Sequence, residues 1–307
     1  MAIIVFAGGL ILAISFGVRS VFGGFVDPLS NDLFGGSVEV FSLSIAIQNL
    51  VWGLAQPVFG IFADRFGDRR ALWLGFGCYA AGMLLCTAAM SPVALHFGAG
   101  VLVGMGISGT AFGVVLAVIG RATPVEQRGY YLGLASAIGS VGQVILPLLA
   151  SWLMEWFTWR VALATIAAML APMALCIPLL RVKRVPLAQT KAAASSCTRS
   201  DRLEQTIKNA FRQPSYGLLC VGFSVCGFHL EFITAHLPTY IQYFCSSNSL
   251  SPEELRALGL RALSVVGLAN IVGTLLASKL GTMVHHIDLS SGWHVQLDDW
   301  HPGYGQD

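Results

Sequence analysis

An all-α, multi-pass membrane protein is the fold class this sequence predicts, and three observations carry the reading. Apolar residues fill 55% of the 307 positions while charged ones fill 11%, and the mean hydropathy is +0.70. A chain of this size in water could not hide so much apolar surface in one core, whereas a lipid-embedded chain has no need to. Apolar stretches of about 20 residues, long enough to cross a hydrocarbon layer of about 30 Å at 1.5 Å per residue, recur along the chain. The charges collect in the short breaks between those stretches. Without water inside the bilayer, backbone groups must be satisfied within each span, so the spans are helices.

Taken in order, eight helices are expected, at residues 3–26, 41–63, 71–90, 93–119, 130–153, 161–180, 216–244 and 258–280. The first holds one charge, Arg19. With no basic segment ahead of it and no small-residue cleavage site before Arg19, it reads as a retained helix rather than a signal peptide. The eighth carries Arg261 near its start. The expected organisation is a six-helix bundle over residues 1–180, a basic loop over 181–213, two further helices over 214–280 and a polar tail over 281–307. The seven cysteines (78, 86, 176, 197, 220, 226 and 245) lie mostly inside the helices and form no Cys-x-x-Cys pair, so they read as packing residues.

Charge sets the orientation. Of 18 Lys and Arg, three lie in the break after helix two, two after helix four and eight from Arg181 to Arg212; the breaks after helices one and three carry none. The positive-inside rule then makes the even-numbered exits and both termini cytoplasmic, in a cell (inner) membrane. The loop 181–213 reads as a solvated inside loop rather than a nucleic-acid patch, because Phe211 is its single aromatic residue. Enzyme classes find no support: there is no Gly-x-x-x-x-Gly-Lys phosphate loop, no His-Glu-x-x-His zinc helix and no Gly-x-Ser-x-Gly elbow, and no cofactor or metal is expected. The adjacent His285 and His286 lie in the polar tail and read as no metal site.

The break after helix two, GIFADRFGDRR at residues 60–70, is the densest charge cluster. Gly60 would let helix two approach a neighbour. Gly67 would permit the positive φ of a tight turn. Asp64 could accept bonds from a helix N-terminus or from Arg69 and Arg70. The stretch resembles the Gly-x-x-x-Asp-Arg-x-Gly-Arg/Lys-Arg/Lys pattern of the major facilitator superfamily, matched by Gly60, Asp64, Arg65, Gly67, Arg69 and Arg70. Asp68 departs, since the family more often has a base there. RATPVEQRGYYLGLASAIGSVGQVILP, residues 121–147, resembles the family's Pro-Glu-x-x-Arg-Gly start of helix five at Pro124, Glu126, Arg128 and Gly129. Gly133, Ala137, Gly139, Gly142 and Pro147 then suit close packing or bending. The resemblance implies a facilitator fold with a six-helix N-terminal bundle and two helices of an incomplete second bundle, and a charged hairpin that latches the cytoplasmic side. The expected second copy of that hairpin is replaced by SKLGTMVHHID at 278–288, which reads as a truncated form without alternating access of its own. Helix four lacks the buried arginine of many members, which argues against proton coupling.

Arg19 is the leading substrate residue, because an intramembrane cation is expensive and no acid lies within a helical turn. Its surroundings, SFGVRSVFGGFVDP, resemble facilitators of the monocarboxylate and oxalate/formate group, where a basic residue nearby faces the carboxylate. The alternative is snorkelling, or pairing with Asp27 or Asp32. His229 and His236, seven residues apart on helix seven, would share a face with Cys226 and Ile233 and could meet substrate. Gln48, Asn49, His96 and Gln143 are further polar candidates. The expected function is secondary transport of a small organic anion such as a monocarboxylate. The alternatives are a drug or metabolite efflux facilitator, and a non-transporting membrane protein or regulatory partner. The partners are the bilayer and the substrate, with oligomeric state left open.

Overall fold

The structure is a computed structural model that describes residues 1–124, 127–181, 208–209, 212–245 and 251–290, the last ten as backbone only. The basic-loop reading of 182–207, Glu126, the His285–His286 pair and the tail from 291 therefore lie outside the described residues or side chains. All described elements are helical. Eight are long and apolar enough to cross a membrane, and we number them α1 (Ala2–Leu33), α2 (Glu39–Phe66), α3 (Asp68–Ala88), α4 (Pro92–Ala122), α5 (Arg128–Trp156), α6 (Trp159–Leu179), α7 (Pro214–Cys245) and α8 (Pro252–Ser290). α8 continues ten residues beyond the expected end at 280, into what the sequence suggested as polar tail. Hydropathy falls there, but nothing in GTMVHHIDLS breaks a helix, since it contains no proline.

The helix contacts reveal the direction of each span. Leu12 and Ala13 of α1 meet Gly139 and Gly142 of α5, so the contacts advance together and the pair is parallel. The same holds for α2 and α4, where Ile47, Val51 and Gln56 meet Gly100, Gly104 and Gly113. Between α3 and α4 the order reverses, with Gly82 on Gly98 and Gly75 on Gly109. In these pairs like-numbered parity runs parallel and unlike parity antiparallel, as successive crossings require.

α1 is the central post, packed against α4, α5 and α6. A Cβ at Gly142 would overlap the Ala13 carbonyl, so the α1–α5 approach depends on a residue without a side chain. α5 turns another side to α8, which runs antiparallel to it. Glu155 pairs with Arg261 at 3.4 Å, Asn270 Nδ2 donates to Gln143 Oε1 at 3.2 Å, and Ser278 Oγ donates to the Gly129 carbonyl at 3.3 Å. The small residues of α5 are thus packing surfaces for α1 on one side and α8 on another. α7 rests on α8 and on the turn Phe22–Phe25 within α1.

Candidate functional site

Arg19 lies in the last turn of the Ala2–Ser20 portion of α1 and is 5% exposed. That burial overturns the snorkelling alternative: the side chain stays in the bundle because α1 is enclosed by its neighbours. Asp32, offered as a pairing partner, instead accepts a hydrogen bond from Trp159 Nε1 at 2.9 Å. Arg19 Nη2 donates to Asn49 Oδ1 at 3.1 Å, and the guanidinium sits 4.6 Å from the centre of the Trp52 ring. Asn49 and Trp52 are three residues apart and share one face of α2. The other end of the Asn49 amide donates to the Ile45 carbonyl at 2.9 Å, which holds its oxygen toward Arg19.

α3 and α4 close the same junction. Phe16, nearly one turn before Arg19, meets Trp52 edge-on at 6.4 Å and Phe112 at 4.6 Å. Tyr79 of α3 is fully buried and donates to the Ser15 carbonyl at 2.8 Å, while Ser15 Oγ and Thr110 Oγ1 are 3.0 Å apart. Phe112 comes from an interruption in α4: Val103–Thr110 ends and Phe112–Ala122 begins on either side of Ala111, whose backbone is extended (φ −89°, ψ −159°). A π-helical stretch, His96–Leu102, precedes it. Irregular backbone within a membrane helix is tolerated where protein or a cavity covers it, and it accompanies functional sites. The assembly is a fixed cation backed by an amide and flanked by aromatic rings. Such a set suits recognition of one anionic group with an apolar body, and it offers no group for bond-making chemistry. Among the described residues no His, Cys, Asp and Glu gather as a metal site would require.

A family model described as Major Facilitator Superfamily matches residues 8–288. The chain belongs to the Major Facilitator Superfamily. This is a family of membrane transporters and not of enzymes. Among similar proteins are mouse "Monocarboxylate transporter 6", 29% identical over 60% of this chain and 41% of that protein, and Bacillus subtilis (strain 168) "Uncharacterized MFS-type transporter YcxA", 27% identical over 71% of this chain and 52% of that protein. The Lactococcus lactis subsp. lactis (strain IL1403) "Multi-drug resistance efflux pump PmrA homolog" is 25% identical over 80% of this chain and 58% of that protein. The facilitator chain thus spans about half the length of these curated relatives. A solved D-xylose-proton symporter shares the fold at a TM-score of 0.54 and 16% identity, over 94% of this chain and 68% of that one.

The facilitator hairpin between α2 and α3 turns at Gly67, whose φ of 112° is open to glycine and strained for other residues. Asp64, Arg65, Arg69 and Arg70 are exposed, with Arg65 over the Phe66 ring at 5.4 Å. Gly60 corrects an expectation: a Cβ there would meet nothing within 4 Å, because that face of α2 points away from the other described helices. The residue that departs from the family pattern holds a cross-link between helices. Asp68, 10% exposed at its side chain, accepts from Arg121 Nη2 at 2.7 Å. Arg121 lies in the last turn of α4, which extends to Ala122 rather than ending at 119, so helix four does carry an arginine, at its end and not at its middle.

The remaining candidates scatter. Gln48 is buried and donates to the Ala99 carbonyl at 2.8 Å, fastening α2 to α4 beside the Arg19 junction. His96 Nδ1 lies 2.8 Å from Ser44 Oγ in the same seam. Gln143 accepts a hydrogen bond from Asn270 and belongs to the α5–α8 seam. His229 and His236 are both exposed on α7 and do not join Arg19, although His236 packs against Phe232 at 5.3 Å. Sequence reading missed Trp52, Tyr79, Phe112 and the Asp68–Arg121 pair. Only Asp68 had given a signal, as a mismatch to the motif.

Proposed function

We propose that this facilitator binds a small organic anion, such as a monocarboxylate, at Arg19, and moves it across the membrane by secondary transport. The observation that carries the reading is a guanidinium held inside a membrane bundle against Asn49 and Trp52. A cation is costly at that depth, and in membrane proteins such groups mark substrate and ion pathways. The mouse relative's printed name, a monocarboxylate transporter, supports the same substrate class. In this reading the hairpin residues Gly60, Asp64, Arg65, Gly67, Arg69 and Arg70 control the conformational cycle on the cytoplasmic side, with both termini on that side of a cell (inner) membrane. Gln48 supports the substrate site through its bond to α4. His229, His236 and Gln143 lie outside the Arg19 junction and serve, at most, other stages of the cycle.

A second reading is efflux of a largely apolar compound. It is favoured by the match to a protein named as an efflux pump and by the three aromatic rings beside Arg19. Equilibrium dialysis of the purified chain against [14C]lactate separates the two. Anion recognition predicts saturable binding that Arg19→Gln weakens by about thirtyfold or more, in line with about 2 kcal/mol or more for a hydrogen bond to a charged group. Equal binding by wild type and Arg19→Gln, with the variant still inserted in membranes, overturns the anion reading.

A further inference from the structure

We infer that Phe112, Phe16 and Trp52 form a tail-binding subsite leading to Arg19, and that this subsite selects carboxylates bearing an aryl group over short aliphatic ones. The inference rests on the proposed anion site and adds to it the body of the substrate.

The rings form a connected row. Phe112 meets Phe16 at 4.6 Å with the planes tilted by 44°. Phe16 meets Trp52 at 6.4 Å and 65°, edge to face. Trp52 carries the Arg19 guanidinium on its own face at 4.6 Å. The row starts at an exposed ring and ends at a buried cation: in order, Phe112 is 40% exposed, Phe16 5%, Trp52 half-buried and Arg19 5%. Three helices contribute, so the row is no stripe along one helix serving its packing.

Its outer member is placed by the interruption of α4. Up to Thr110, α4 is fastened to α2 and α3: Ser108 Oγ donates to the Trp52 carbonyl at 2.9 Å and Gly109 packs against Phe59 and Gly75. At Ala111 the backbone turns extended, and Phe112 begins a new helical segment directly over Phe16. The Val115 N–H reaches the Ala111 carbonyl at a long 3.4 Å, so the helical ladder is weak where Phe112 attaches. This is the member of the row best able to yield to an entering ring.

An anion whose carboxylate meets Arg19 has its body directed along these rings. Aromatic rings pair edge-to-face or offset, gaining beyond simple burial, whereas a methyl group or a hydroxyl-bearing chain does not. The subsite therefore prefers benzoate to acetate by about three- to tenfold beyond the difference in partitioning, the range expected of one added aromatic contact.

The test measures equilibrium binding of [14C]benzoate and [14C]acetate to the full chain in nanodiscs, with binding to empty nanodiscs subtracted. Benzyl alcohol serves as an uncharged aryl competitor. The expected result is a three- to tenfold preference for benzoate, weak competition by benzyl alcohol, and loss of the preference in Phe112→Ala through a benzoate Kd that rises three- to tenfold more than the acetate Kd. Phe112→Trp, which keeps an aromatic face, retains the preference and guards against a folding defect in the alanine variant. Acetate binding with no benzoate preference, or a preference that survives Phe112→Ala, overturns the subsite and leaves the anion site standing. Failure of both carboxylates to bind overturns both.

Discussion

Arg19 and Arg121 each occupy the last turn of a helical segment, yet their surroundings are opposite. Arg19, 5% exposed, gives a hydrogen bond to the Asn49 amide and lies on the Trp52 ring. Arg121, with 40% of its side chain exposed, meets the Asp68 carboxylate at 2.7 Å. A position at a helix C-terminus suits either cation, because the end of the helix dipole is negative. The distinction lies in what answers the charge. At the hairpin a carboxylate on the preceding helix answers it and ties α3 to α4, so the charge is spent on joining two helices. At the α1–α2–α4 junction an amide and a ring lie against the guanidinium and orient it, and under the proposed function an incoming anion meets it there.

Placing a carboxylate at the interior arginine should erase this distinction, with the largest effect. Asn49→Asp puts an acid about 3 Å from Arg19, in the range of a charge-assisted hydrogen bond. Carboxylate binding should then fall by about thirty- to hundredfold, equivalent to about 2–3 kcal/mol, while thermal stability holds or rises. Opposite signs in the two readouts, binding by dialysis and melting by intrinsic fluorescence, separate competition from misfolding. A variant that binds like wild type removes the junction from the site.

The converse change at the hairpin should be smaller and confined to stability. Asp68→Asn should cost about 1 kcal/mol, since the partner arginine is partly solvated, and lower the melting temperature by a few degrees without altering anion Kd. The swap Asp68→Arg with Arg121→Asp should recover only part of the loss, because each charge then opposes the dipole of its helix end. An anion Kd that shifts with Asp68→Asn would show that the two regions are not separable as described.

How much of this was legible in the sequence follows from the range of each interaction. The eight spans were, because 20 apolar residues in a row is a local signal; their ends ran short because helices continue into interfacial polar residues, as α8 does past residue 280. Gly67 was legible for the same reason, as a turn written in adjacent letters. Arg19 stood out as an isolated charge, but its partners lie 30 and 33 positions away, and nothing in the sequence ranks Trp52 above the other aromatic residues. Phe112 depends on an interruption at Ala111 that no proline announces. Arg121 meets Asp68 across 53 positions, so the motif mismatch was visible and its purpose was not. His229 and His236 show a different limit: a helical spacing of seven places them on one face, but face-sharing does not say which neighbour that face meets.

The central claim is that the substrate carboxylate sits on the Arg19 guanidinium, and dipolar-recoupling solid-state NMR reads that contact directly. The chain is labelled with 15N in its arginine side chains, reconstituted in bilayers, and loaded with [carboxyl-13C]benzoate. A charge-assisted contact places the carboxylate carbon about 4 Å from the guanidinium nitrogens, so bound benzoate should show strong 13C–15N dephasing that disappears in Arg19→Lys, where the position holds no guanidinium. Bound benzoate without dephasing, or dephasing that persists in Arg19→Lys, would contradict the account.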